Sequence, residues 1–216
     1  MSRRYGLIGV AFAVLFTAYG FLDNGPSQDL SNASTQAWYA SHSLTQWLVS
    51  AAFGGLAGVC AIVLAAVLRR SLAPDADRSL AAQLVTAAGY VGAALMLAGV
   101  ALYATIPFQH VFNDAALPTP AVSRVMFGAA YASGFVIAPL AFGLMVASAS
   151  LLARRHGTLP RWLAVAGFPV AVLQLAAPLF LPVWLFGLWT LAVGLTLAVR
   201  RTRAGLSEPR PETVLA

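Results

Sequence analysis

The sequence predicts an all-α fold, a bundle of six membrane-crossing helices forming one domain. Three observations predict it. The 216 residues are 60% hydrophobic and 9% charged, against about 45–50% apolar and about 25% charged in soluble domains. Long apolar stretches recur, and crossing about 30 Å of hydrocarbon takes about 20 helical residues. Arginine pairs at Arg3/Arg4, Arg69/Arg70, Arg154/Arg155 and Arg200/Arg201 border those stretches, as cytoplasmic loops of polytopic proteins do.

The spans follow in order. The first is Tyr5 to Leu22, after Arg3/Arg4. It is longer than a signal-peptide core of about 7–15 residues and no cleavage site follows promptly, so a retained anchor is expected. A turn cluster, Asp23-Asn24-Gly25-Pro26, comes next. Asn32 to His42 then forms a short interfacial helix, with Trp38, Tyr39 and Trp47 as an aromatic belt. The second span is Thr45 to Leu68, closed by Arg69/Arg70, and the third is Leu80 to Ile106. Pro107 to Asp114 is an apolar outer stretch at headgroup level, and Pro120 suits entry to the fourth span, Val122 to Ala153. The last two are Arg161 to Pro178 and Val183 to Val199, parted by a tight turn at Pro182. Residues 1–203 make the transmembrane domain, and 204–216 a short, proline-containing cytoplasmic tail without order.

Charge sets the orientation. Every basic residue is arginine, and all thirteen except Arg124 fall on one side of this layout. Both termini are therefore expected in the cytoplasm of a bacterial inner membrane. The net charge of +6 borders apolar spans instead of forming a patch interleaved with aromatics. It predicts contact with the bilayer and its anionic lipid headgroups, and no nucleic-acid partner. The single cysteine, Cys60, lies in an apolar run and excludes an intrachain disulfide.

Several chemistries are disfavoured by what the spans lack. No Asp, Glu or Lys falls inside any of them. Proton pumps and ion-coupled transporters keep such groups at membrane depth because they use them. No Walker loop, dinucleotide fingerprint, Gly-x-Ser-x-Gly elbow or His-Glu-x-x-His motif occurs, and no motif implies a cofactor.

The remaining candidates are few. His42 and His110 fall at the outer boundary, where imidazoles can ligate a metal or haem iron, with Asp23, Asp29 or Asp114 as a carboxylate partner. Interfacial polarity is the plainer account of both. Arg124 breaks the inside rule, and it pairs with Asp114 or Asp23, grips an anionic ligand, or snorkels to phosphates. Gln174 is an amide within the fifth span, between Pro169 and Pro178, near enough in layout to meet Thr190 or Thr196. It serves a ligand or an ordinary interhelical hydrogen bond. Gly54-x-x-x-Gly58 and Gly89, Gly92 and Gly99 permit close backbone approach, within the chain or across a homodimer or partner-protein face.

The Arg-Arg pair before the first span, Asp23-Asn24-Gly25-Pro26, and Trp38-Tyr39-Ala40-Ser41-His42 before the second resemble uncharacterised six-span membrane proteins of actinobacterial type. The resemblance implies a bacterial inner membrane and no particular activity. The function expected is that of a non-enzymatic accessory or scaffold subunit. Two alternatives stay open: a small permease or lipophilic-ligand binder using Arg124 and Gln174, and a haem or metal redox protein using His42 and His110.

Overall fold

The computed structural model describes residues 4–22, 31–73, 78–179 and 181–206, and these are helical with no strand among them. The helices are α1 (Arg4–Leu22), α2 (Asn32–Ser41), α3 (Leu44–Leu72), α4 (Leu80–Asn113), α5 (Pro120–Tyr131), α6 (Ala138–His156), α7 (Arg161–Leu173) and α8 (Leu181–Leu206). A π-helical turn, Ala132–Ile137, joins α5 to α6, and a 3₁₀ segment, Gln174–Leu179, follows α7. Among the described residues, four helices are long and apolar enough to cross a membrane: Leu44–Leu72, Leu80–Asn113, Pro120–His156 and Pro182–Val199. Gly6–Leu22 and Arg161–Ala177 are shorter apolar helices. The cluster at Asp23 to Pro26 and the tail beyond Leu206 lie outside the described residues.

Serine starts three of these helices. Ser31, Ser43 and Ser79 accept from the backbone N–H of Ser34, Gln46 and Ala82, satisfying donors that have no partner in the first turn. Pro120 occupies the first turn of α5, where its missing N–H costs nothing. At its far end α6 closes on Gly157 in the left-handed region, φ 62°.

Two differences from the expected layout have simple causes. Helix α4 continues through Pro107 to Asn113, so the stretch expected as a headgroup-level loop is helix. Proline removes one hydrogen bond, and the helix resumes at once. It ends where Asp114, at φ 50°, and Ala115 both return N–H groups to the Gln109 carbonyl. The π turn precedes Pro139, which has no N–H to return to Phe135. The Ala138 N–H instead reaches the Ser133 carbonyl, five residues back.

Six rods pack as a closed ring in the order α1, α3, α4, α5–α6, α7, α8 and back to α1. Contacts at two levels show that α1 runs antiparallel to α8, and α3 to α4. Gly6 lies against Ala198 and Gly20 against Trp184, Gly58 against Leu97 and Gly89 against Ala65. The centre is filled: Phe12, Phe142 and Phe186 meet at centroid separations of 4.8–6.5 Å. The Arg69/Arg70, Arg154/Arg155 and Arg161 positions end up at one end of the ring. There the Thr158 hydroxyl donates to the Leu72 carbonyl at 3.4 Å, tying together the two arginine-bearing connections.

The glycines singled out in the sequence face helices of the same chain. A Cβ on Gly92 would lie 2.7 Å from the Phe142 ring, and one on Gly99 2.9 Å from the Ala130 carbonyl. Gly89 has no room because Ala65 and Met145 crowd it, whereas Gly55 faces open space. Gly89→Val should therefore cost about 1–3 kcal/mol of stability and lower the melting temperature in detergent. Gly55→Val should leave it unchanged. Equal melting temperatures for the two variants would contradict this α3–α4–α6 packing.

Candidate functional site

Opposite the arginine end, aromatic side chains form a continuous network. It begins with His42, stacked on Trp38 at 4.4 Å and 12°. Trp38 meets Trp47 edge-on at 5.6 Å. Trp47 then contacts Tyr103 and Phe127, each at 5.2 Å, and Tyr103 leads through Tyr19 to Phe135 on the π turn. Trp47 is fully buried, and its indole N–H has no hydrogen-bond partner. It lies among ring faces, which offer a donor only weak compensation.

Helix α2 is held onto α5 by one buried polar link. The Tyr39 hydroxyl donates to Ser123 Oγ at 2.8 Å, and Ser123 donates in turn to the Thr119 carbonyl at 3.1 Å. Burial pushes the Tyr39 phenol up from its ordinary value, and its bond to Ser123 offsets part of that rise.

The sequence candidates fall around this end. His42 is exposed and closes α2. Its Nδ1 lies 3.0 Å from the Trp38 carbonyl and 2.9 Å from Ser41 Oγ. His110, half-buried in the last turn of α4, has Nδ1 2.8 Å from the Ala115 carbonyl. A carbonyl only accepts, so Nδ1 is the donor in both contacts. Metal-ligating histidines use this arrangement. Among the described residues, however, no three or more His, Cys, Asp or Glu side chains are grouped to hold an ion. Asp114 caps α4, while Asp23 and Asp29 lie outside the described residues. Arg124 is half-buried on α5, next to Ser123.

Gln174 occupies the 3₁₀ segment after α7 and is 1% exposed. Its Nε2 donates to the Pro182 carbonyl at 2.7 Å and to Val170 at 3.3 Å, so the amide fastens the α7–α8 turn. Its Oε1 is buried with no partner. Thr190 and Thr196 bond back to Gly187 and Ala192 of their own helix, not to Gln174. Nearby, Gly167 leaves room for the Ser150 hydroxyl, and the Trp189 indole donates to the Leu163 carbonyl at 3.3 Å.

Sequence reasoning missed the Tyr39–Ser123 link. The residues are 84 positions apart, and a serine early in an apolar helix carries no signal of its own. Comparison of the chain with protein-family models, curated proteins and solved structures finds no match. The site must therefore be read from its own geometry.

That geometry yields a pH prediction. From about pH 10 up to the raised pKa of folded Tyr39, the unfolded chain releases the phenolic proton while the folded chain keeps it. Stability therefore falls as pH rises through that window. Tyr39→Phe should cost about 0.5–1.5 kcal/mol at neutral pH for the lost hydrogen bond and flatten the alkaline decline in chemical-denaturation curves. An alkaline slope identical to the parent's would show that Tyr39 is not the buried group.

Proposed function

We propose that the chain is an integral protein of a bacterial cytoplasmic membrane. It crosses six times, with the arginine end and both termini inside, and works as a non-enzymatic accessory or scaffold subunit. One observation carries the membrane reading: the ring is apolar on its outside and holds polar side chains within. Val14, Leu56, Val91, Leu144, Val165 and Leu195, one on each rod, are 46–59% exposed. Ser50, Ser150, Gln174 and Thr190 are at most 1% exposed. A surface of that kind suits hydrocarbon, since water-soluble monomers rarely expose contiguous apolar patches beyond a few hundred Å².

The two short helices support crossing as well. At about 1.5 Å per residue, Gly6–Leu22 extends about 26 Å. Modest bilayer thinning and snorkelling arginines can absorb that shortfall. The accessory role is supported by a ring centre filled where Phe12, Phe142 and Phe186 meet. Gln174 is held by two backbone carbonyls, so its amide donors serve the turn.

Orientation is tested with single cysteines in a Cys60→Ala background. A membrane-impermeant maleimide added to spheroplasts should label Ser41→Cys and spare Ser71→Cys until the membrane is broken. Labelling confined to Ser71→Cys would invert the topology, and recovery of the chain in the soluble fraction would remove the reading altogether. The accessory role predicts that the chain migrates with another protein on native gels in mild detergent at its natural expression level. Migration as a lone monomer there would count against it.

A further inference from the structure

The arginine end does more than mark a side of the membrane. Where α6 turns into α7, the chain encloses a hollow of about 650 Å³. Its floor is apolar and closed: Ala153, Leu159 and Ala164 are 1–4% exposed. Its rim carries Arg154, Arg155, His156 and Arg161, and among the described residues no acidic side chain lines it. Two backbone features bring this charge together. Gly157 in the left-handed region reverses the chain directly after His156, and Pro160 starts α7 so that Arg161 is its first residue. Helix α7 begins without a side-chain cap, and its positive end adds to the guanidinium charge.

One side of the hollow opens onto the outer, apolar face of α7. Val165 lies at that lip, 52% exposed, and Trp162 beside it is 66% exposed. The Arg154 guanidinium leans along the same helix, 5.9 Å from the Phe168 ring centre. Guanidinium groups bind phosphate oxygens in paired hydrogen bonds, and an exposed tryptophan favours the headgroup level of a bilayer. A soluble phosphate compound would use the rim and leave the apolar lip bare. A phospholipid uses both, with its phosphate among the arginines and its glycerol and first acyl carbons along Val165.

We infer that the α6–α7 hollow is a binding site for the phosphate-bearing headgroup of an anionic phospholipid. The inference rests on the membrane-spanning reading above, with the arginine end at a lipid interface. It differs from general attraction of positive charge to an anionic leaflet, because it assigns the lipid to these arginines and not to Arg69 and Arg70 on α3.

The test uses the full chain in a non-ionic detergent, with bound lipid counted by native mass spectrometry. Phosphatidylglycerol should bind the parent protein, and phosphatidylcholine should neither bind there nor displace it. Arg155→Gln with Arg161→Gln should weaken phosphatidylglycerol binding about tenfold or more, a change of about 1.4 kcal/mol. Arg69→Gln with Arg70→Gln, which removes the same charge, should leave it unchanged. Equal weakening by both pairs would reduce the effect to diffuse charge and overturn the assignment. Displacement by millimolar inorganic phosphate would make the occupant a soluble phosphate and also overturn it. Equal binding of the two lipids by the parent protein does the same without relying on any variant. Failure of the spanning reading looks different: the chain would not fractionate with membranes at all.

Discussion

Close contact between helix backbones is the constraint on which this structure depends. In hydrocarbon, burying an apolar side chain between helices gains little, because lipid tails are equally apolar. Association must then come from dense packing, and density requires small residues where helices cross. Gly194 lies so close to α1 that a Cβ there would be 2.8 Å from the Gly6 carbonyl and 3.1 Å from the Gly9 Cα. This seam brings the last helix against the first and closes the ring. Gly99 does the same for α4 against the π turn, where the Gly134 N–H would be 2.9 Å from an added Cβ.

Closure in turn decides what the interior can hold. The six rods leave space at the centre for Phe12, Phe142 and Phe186, and for a few polar side chains that bond to backbone carbonyls of their own or a neighbouring helix. Ser50 reaches the Tyr19 carbonyl at 3.3 Å, and Gln174 reaches Pro182. Each of these bonds spans two rods or two segments of one turn, so it fixes register as well as satisfying a donor. The buried polar atoms left over, Trp47 Nε1, Ser150 Oγ and Gln174 Oε1, lie at such crossings. The polar side chains of the core are thus placed by packing.

Much of the helix layout was legible in the sequence, because length, apolarity and arginine placement are written residue by residue. Arg69/Arg70 and Arg154/Arg155 sit in the last turns of long helices, close to where charge alone put them. The helix interiors were not legible. Pro107 reads as a stop, yet α4 passes through it, because one missing hydrogen bond is small beside the packing of a 34-residue helix. The π turn before Pro139 follows from that proline's missing N–H, and in the 3₁₀ segment the Gln174 amide reaches the Pro182 carbonyl, a partner the sequence does not mark. Contact partners were hidden for a further reason. Every face of these helices is apolar, so Leu64, 2% exposed, and Val63, 40% exposed, look alike in sequence. At the candidate site, the locations of His42, His110 and Arg124 near helix ends were readable. The hydrogen bonds of the two histidines were not, since His42 turns back to the Trp38 carbonyl and His110 reaches forward to that of Ala115, and both depend on how the helix ends. Arg155 and Arg161 were readable as topology, while the hollow they share needed the turn at Gly157.

The most direct test of a closed six-membered ring facing lipid on every rod is carbene footprinting. An apolar photoactivated reagent dissolved in the bilayer would label the membrane-embedded protein, and labelled residues would be read by mass spectrometry. The ring predicts label on Val14, Leu56, Val91, Leu144, Val165 and Leu195, and protection of Phe12, Leu64, Val85, Val146, Leu163 and Val193, each at most 2% exposed. Label on the second set, or none on Val14 and Val165 of the two short helices, would contradict it.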